Sequence, residues 1–86
     1  MNVGIIAFSE RGHALGQGLA RALQGRGHSA QAERCGEGGL AAWTQARFAS
    51  EEALVFIGSA GIAVRAVAPQ VRSKDADPAV VVVDEL

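Results

Sequence analysis

The sequence has one cysteine, almost no net charge and no long apolar run, and each shortage excludes a class of protein. The single cysteine, Cys35, makes no internal disulfide, and no Cys-x-x-Cys pair or histidine at metal-ligand spacing accompanies it. No neighbour is obviously placed to activate the thiol, so we expect Cys35 to be inert. These features predict a reducing compartment, the cytoplasm, and no protein-bound metal.

Charge and hydropathy exclude two kinds of partner. Eight basic and nine acidic residues give a net charge of −1, and the basic residues are scattered, so we expect no nucleic acid partner. No apolar segment reaches the ~18 residues that a membrane span requires. The opening stretch lacks the basic region of a signal peptide, and we expect no membrane partner.

The chain is short but apolar enough to bury a core. It has 86 residues, of which 49% are hydrophobic, and residues 1–86 are predicted to form a single domain. A domain of this size buries only about 60–65% of the surface that its unfolded chain exposes. We therefore expect additional stabilisation from a homo-oligomer or from further domains of a longer parent protein.

Short apolar runs alternate with helical patterns along the chain. Apolar runs at 3–8, 53–57 and 79–83 indicate strands and are typical of strands buried on both faces. A weaker run at 28–34 indicates a further strand. The alternation predicts a three-layer α/β sandwich around a mostly parallel, Rossmann-like sheet of about four strands. The chain stops after its last predicted strand, which suggests the N-terminal fragment of a longer protein.

Three helical patterns separate these strands. Ser9 is placed to cap the first helix. The apolar stripe of that helix comprises Leu15, Leu19, Ala22 and Leu23. The second helix covers 39–49, and its Trp43 is predicted to pack on the sheet. The third covers 61–68 and ends near Pro69, which lacks a backbone donor.

Ligands of open parallel sheets bind beyond the carboxyl ends of the strands, and here the loops at 9–13, 35–39, 58–61 and 84–86 lie there. Three side chains in these loops are candidates for acid–base chemistry: Glu10, His13 and Asp84. The residues favour the alternative in which Glu10 is a first-turn acid stabilised by the helix dipole and His13 is exposed. Asp75 and Asp77 indicate a turn.

The loop at 58–61 reads Gly-Ser-Ala-Gly and opens the third helix. Glycine allows a positive φ and a close approach to a ligand, and the unpaired N–H groups at a helix start favour a carboxylate or phosphate. Arg65, one turn on, offers a forked bond to a carboxylate. Alternatively, the glycines only allow close helix–strand packing and Arg65 is solvated. The residues leave both interpretations open.

Two segments resemble a known family. The stretch ALVFIGSAGIAVRAVAP at 53–69, followed by KDADPAVVVVDE at 74–85, resembles the CbiG family of cobalamin biosynthesis, the cobalt-precorrin-5A hydrolases. The stretch IIAFSERGHALGQGLARAL at 5–23 is consistent with that family's opening strand and helix.

The resemblance implies an enzyme that opens a lactone on a tetrapyrrole and releases a two-carbon fragment as acetaldehyde. The substrate is a cobalt-precorrin, so cobalt comes with the substrate and no cofactor is expected. Its acetate and propionate side chains favour the binding interpretation of the loop. The expected substrate-binding residues are Ser9, Gly58, Ser59, Ala60, Gly61, Ile62 and Arg65. Amides at 59–62 would stabilise an oxyanion, and His13, Glu10 or Asp84 would activate water.

Members of this family continue past the Asp-Glu pair into further domains. We therefore expect the C-terminal domains of the parent as partners, and no activity from the isolated piece. Two alternatives remain. The chain could be a non-catalytic structural or docking module of the parent, or a nucleotide-binding domain. The last rests on fold analogy alone, because neither G-x-G-x-x-G nor Gly-Lys-Ser/Thr is present.

Overall fold

The structure is a computed structural model that describes residues 1–36, 39–73 and 75–84. In chain order its elements are β1 (Asn2–Ala7), α1 (Glu10–Gln24), β2 (Ser29–Arg34), α2 (Gly39–Ser50), β3 (Ala53–Ile57), α3 (Ala60–Val67), a 3₁₀ turn (Ala68–Gln70) and β4 (Ala79–Val83). The predicted alternation of strands and helices is confirmed. None of the helices in these ranges is long and apolar enough to cross a membrane.

The four strands form one sheet in the order β2-β1-β3-β4. Every neighbouring pair is parallel, with Val3 of β1 opposite Ala30 on one side and Ala53 on the other. On the far side of β3, Val55 lies opposite Val81 of β4. The predicted parallel sheet is therefore confirmed, and β1 and β3 are its central strands.

Helices cover both faces of the sheet, which gives the three predicted layers. Alternate residues of β1 and β3, such as Ile5 and Ile57, face α1. The intervening residues, such as Phe56, face α2 and α3. Trp43 of α2 contacts Phe56 edge to face, with ring centroids 5.9 Å apart. The predicted packing of Trp43 on the sheet is therefore confirmed.

The predicted apolar stripe of α1 is only partly correct. Leu19 and Leu23 pack against the core, but Leu15 is 51% exposed and the buried residues are Gly12, Gly16 and Ala20. A Cβ at Gly16 would lie 3.1 Å from Ile57 Cδ1 and 3.2 Å from Ile5 Cγ2. The helix thus packs closely through small residues, and Leu19 and Leu23 contact the core from the flank.

The prediction that β4 is buried on both faces is wrong. β4 is an edge strand, and Val80 and Val81 are 40% and 47% exposed, whereas all five residues of β3 are buried. An apolar run indicates a strand but not its place in the sheet. Here β1 and β3 lie under the helices, and among the described strands β4 has a neighbour on one side only.

A polar cluster joins β2 to α2. The Nε1–H of Trp43 donates to Glu33 Oε2 over 2.6 Å, and the same oxygen accepts from Arg47 over 3.0 Å. Arg47 also pairs with Glu51 at 3.3 Å, four residues along the chain. Because one carboxylate holds both the indole and the guanidinium, Glu33 fixes how the tryptophan ring lies against the sheet.

Candidate functional site

The carboxyl ends of all four strands lie at one edge of the sheet because every pairing is parallel. Within the described ranges, Ser9 follows β1, Cys35 follows β2, Gly58 follows β3 and Asp84 follows β4. The remaining residues of two predicted loops, 37–38 and 85–86, lie outside the described part of the chain. The structure therefore brings the predicted loops to one edge.

Ser9 caps α1 as predicted. Its extended backbone places Oγ to accept a hydrogen bond from the Gly12 N–H over 3.0 Å, and its carbonyl accepts from the His13 N–H over 2.9 Å. Glu10 is exposed in the first turn, where an acid is favoured by the helix dipole. The hydroxyl of Ser9 is thus committed to the helix, which leaves its substrate-binding role a prediction.

His13 is half-buried, although the surface interpretation has it exposed. Its Nδ1 is buried, and no atom of the described residues forms a hydrogen bond with it. A buried, unpaired ring nitrogen destabilises a fold. The described residues contain no group of three or more histidine, cysteine, aspartate or glutamate side chains that could bind a metal ion.

Gly58 is required for packing. A Cβ at this position would lie 2.7 Å from Cδ2 of Phe8, the residue between β1 and Ser9. Its N–H donates to the Val83 carbonyl over 2.9 Å and joins this loop to β4. Its φ is not positive, and neither is that of Gly61, so these two glycines do not use the left-handed backbone that glycine allows.

The rest of the loop is open. Ser59, Ala60 and Gly61 are exposed, and no atom of the described residues lies within 4 Å of where a Cβ of Gly61 would be. Ser59 is the N-cap of α3, but its side chain makes no capping hydrogen bond. The first-turn N–H groups of a helix have no partner inside it. The start of α3 therefore presents unpaired amides and the positive end of the helix dipole to solvent.

Arg65 lies in the last turn of α3 rather than beside the loop. It is exposed and lines a groove of about 430 Å³ between α2 and α3, together with Ile62. Sequence reasoning missed this groove. Apart from Ala66 of α3, its other lining residues come from α2 and the 3₁₀ turn, and no spacing along the chain relates these to α3.

The remaining predicted residues lie apart from the groove. Asp84 is exposed, next to the Val83 carbonyl that holds Gly58. Asp77 accepts from the N–H groups of Arg72 and Ser73 over 2.7 and 2.9 Å, so the predicted turn is confirmed. Cys35 is half-buried and packs against the aromatic side of the core.

Comparison with known proteins gives consistent results. Residues 42–86 match the family described as cobalamin synthesis G N-terminal. A cobalt-precorrin-5A hydrolase from Salmonella typhimurium is 53% identical over 49 residues, which are 57% of this chain and 14% of that protein. The chain therefore spans a small part of this curated relative.

A solved structure extends the likeness to the first half of the chain. The crystal structure of a cobalamin biosynthesis protein G homolog from Sulfolobus solfataricus matches with a TM-score of 0.78 and 26% identity. The match covers 96% of this chain and 25% of that one. The family match begins at residue 42, whereas the structural match also includes β1, α1 and β2.

Proposed function

Because the chain belongs to the cobalamin synthesis G N-terminal family, we propose that it is part of a cobalt-precorrin-5A hydrolase and binds carboxylate side chains of the tetrapyrrole substrate. The name of the Salmonella relative supports the reaction. The observation that carries the binding role is the exposed start of α3, where Ser59, Ala60 and Gly61 leave amides open at the carboxyl edge of the sheet.

The chemistry of the edge suits this substrate. A precorrin carries several acetate and propionate side chains, and a carboxylate accepts hydrogen bonds from amides at a helix start. Gly61 has free space where a side chain would be, so a ligand can reach these amides closely. Gly58 supports the loop from beneath by packing on Phe8. Gly61 thus leaves room for the ligand, and Gly58 packs on the core side of the loop.

The proposed reaction is hydrolysis of a lactone. Water adds to the lactone carbonyl carbon, the acyl C–O bond breaks, and the alkoxide leaving group takes a proton. The freed hydroxyl then loses its proton and becomes the carbonyl of acetaldehyde as the carbon–carbon bond to the macrocycle breaks. The electron pair of that bond stays on the macrocycle, which takes up a proton. Amides at 59–62 would stabilise the oxyanion, and Glu10, His13 and Asp84 are the candidates at this edge for activating water. Cobalt is part of the substrate.

The parent protein would supply the rest of the site. The chain spans 14% of the Salmonella relative and 25% of the Sulfolobus chain, so we propose that the C-terminal domains are its partners and that the isolated chain is inactive. The same proposal places the protein in the cytoplasm. A purely structural or docking role explains Gly58 but gives no use to the open amides of α3.

A pair of glycine substitutions tests the binding role. Gly61→Glu puts a carboxylate at the start of α3, where it has space and a favourable dipole, but where it would repel a carboxylate ligand. Gly18→Glu makes the same charge change at an exposed α1 position that also has free space. We expect Gly61→Glu alone to weaken binding of cobyrinic acid, a corrin heptacarboxylate, by about tenfold in calorimetric titration. Equal affinities would refute the role of this loop.

A further inference from the structure

The groove between α2 and α3 has the composition of a ligand subsite. Its walls are mainly apolar, from Leu40, Ala41, Ile62, Ala66 and Pro69. Gln45, Gln70 and Arg65 add the polar groups. Small-molecule sites are typically apolar clefts of about 300–1,000 Å³ with a few polar groups that fix orientation. At about 430 Å³ the groove lies near the lower end of that range.

Arg65 is the charged residue among the described residues of this lining, and no described residue forms an ion pair with it. Among the described residues, the ion pairs are those of Arg47 with Glu33 and Glu51, and Arg65 takes part in none. A guanidinium stays charged at any physiological pH and binds a carboxylate through two parallel hydrogen bonds. An unpaired cation beside an apolar surface is complementary to a carboxylate attached to an apolar body.

Two residues of the groove lie near the edge that carries the proposed binding loop. Leu40 and Ile62 lie in the first turns of α2 and α3, and these helices begin after the carboxyl ends of β2 and β3. Ile62 directly follows the exposed residues of the loop and is itself 39% exposed. A ligand held by the amides at the start of α3 would therefore lie next to the Ile62 end of the groove.

We propose that this groove is a subsite for one edge of the tetrapyrrole, in which Arg65 binds a carboxylate arm while Leu40 and Ile62 contact the apolar ring. The inference rests on the proposed function and adds a location to it. Its volume suits one arm and the adjoining ring edge, and the rest of the macrocycle would lie over the loop at 58–61.

The first test fills the groove. Ala41→Phe adds a ring at an exposed position of the lining, and Ala46→Phe adds the same ring at an exposed position of α2 outside it. Both change helix propensity equally, so we expect equal melting temperatures. We expect Ala41→Phe to weaken cobyrinic acid binding by about tenfold and Ala46→Phe to leave it unchanged. Unchanged affinity in Ala41→Phe would overturn the inference.

The second test removes the charge. Arg65→Gln keeps a polar side chain and removes the guanidinium, and Arg26→Gln makes the same change at an exposed position outside the groove. Arg65→Gln should lose about tenfold in affinity and part of the salt dependence of binding, while Arg26→Gln loses neither. If Gly61→Glu weakens binding but Ala41→Phe and Arg65→Gln do not, the proposed function stands and the groove is not a subsite. If the unmodified chain shows no saturable binding, both fail.

Discussion

The ring of Phe8 lies against the backbone of Gly58, so that a Cβ at Gly58 would be 2.7 Å from Cδ2 of Phe8. Phe8 follows β1 and Gly58 follows β3, and the contact joins the two loops at the carboxyl edge of the central strands. Gly58 therefore serves the fold, and the ligand-facing part of its loop begins at Ser59.

This contact predicts opposite effects for two glycines three residues apart. Gly58→Ala forces the Phe8 ring to move, and overpacking of this kind costs about 1–3 kcal/mol. Gly61→Ala meets nothing within 4 Å on an exposed turn of α3 and should stabilise the chain by up to about 1 kcal/mol through helix propensity. Urea denaturation of the two variants measures the difference. Equal stabilities would show that the ring is not held against Gly58.

The place of β4 in the sheet predicts unequal roles for two facing valines. Val55 and Val81 are opposite each other in neighbouring strands, but Val55 is 6% exposed and Val81 47% exposed. Val55→Ala should lower the free energy of unfolding by about 2 kcal/mol, and Val81→Ala by under about 1 kcal/mol, because the methyl groups of Val81 are already partly in water. A comparable loss in both variants would mean that β4 is covered in solution.

Glu33 is predicted to stabilise the packing of α2. Glu33→Ala removes acceptors from both Trp43 and Arg47 and should cost about 1–2 kcal/mol. Glu33→Gln keeps an oxygen for the indole N–H and loses only a partly exposed ion pair, which costs about 0–1 kcal/mol. Denaturation followed by Trp43 fluorescence distinguishes the two. If both variants lost the same stability, the charge rather than the indole hydrogen bond would account for the role of Glu33.

Much of the fold follows from the sequence because its strongest patterns are local. The apolar run at 53–57 was predicted with the boundaries that β3 has, and Ser9 with the capping role it performs. Local patterns do not report what lies beside an element. The run at 79–83 is as apolar as a central strand, yet β4 lies at the edge. The leucine pattern of α1 gives no indication that Gly16 packs closely on the sheet.

The candidate site was predictable only where it depends on strand order. Parallel pairing brings the loops after β1 and β3 together, and their positions in the sequence were enough to predict that. Gly58 packs and Gly61 is open because the ring of Phe8 lies against Gly58, and the sequence does not indicate where that ring lies. The groove depends on how α2 packs against α3, so no motif in either helix indicates it.

The most direct test of the central claim is a calorimetric titration of the unmodified chain with two corrinoids. Cobyrinic acid carries free carboxylates on its side chains, and cobinamide carries amides in their place. If the edge recognises carboxylates, cobyrinic acid should bind saturably and about tenfold or more tightly than cobinamide, with an affinity that falls as salt is raised. Equal affinity for the two, or no saturable binding of either, would contradict the account.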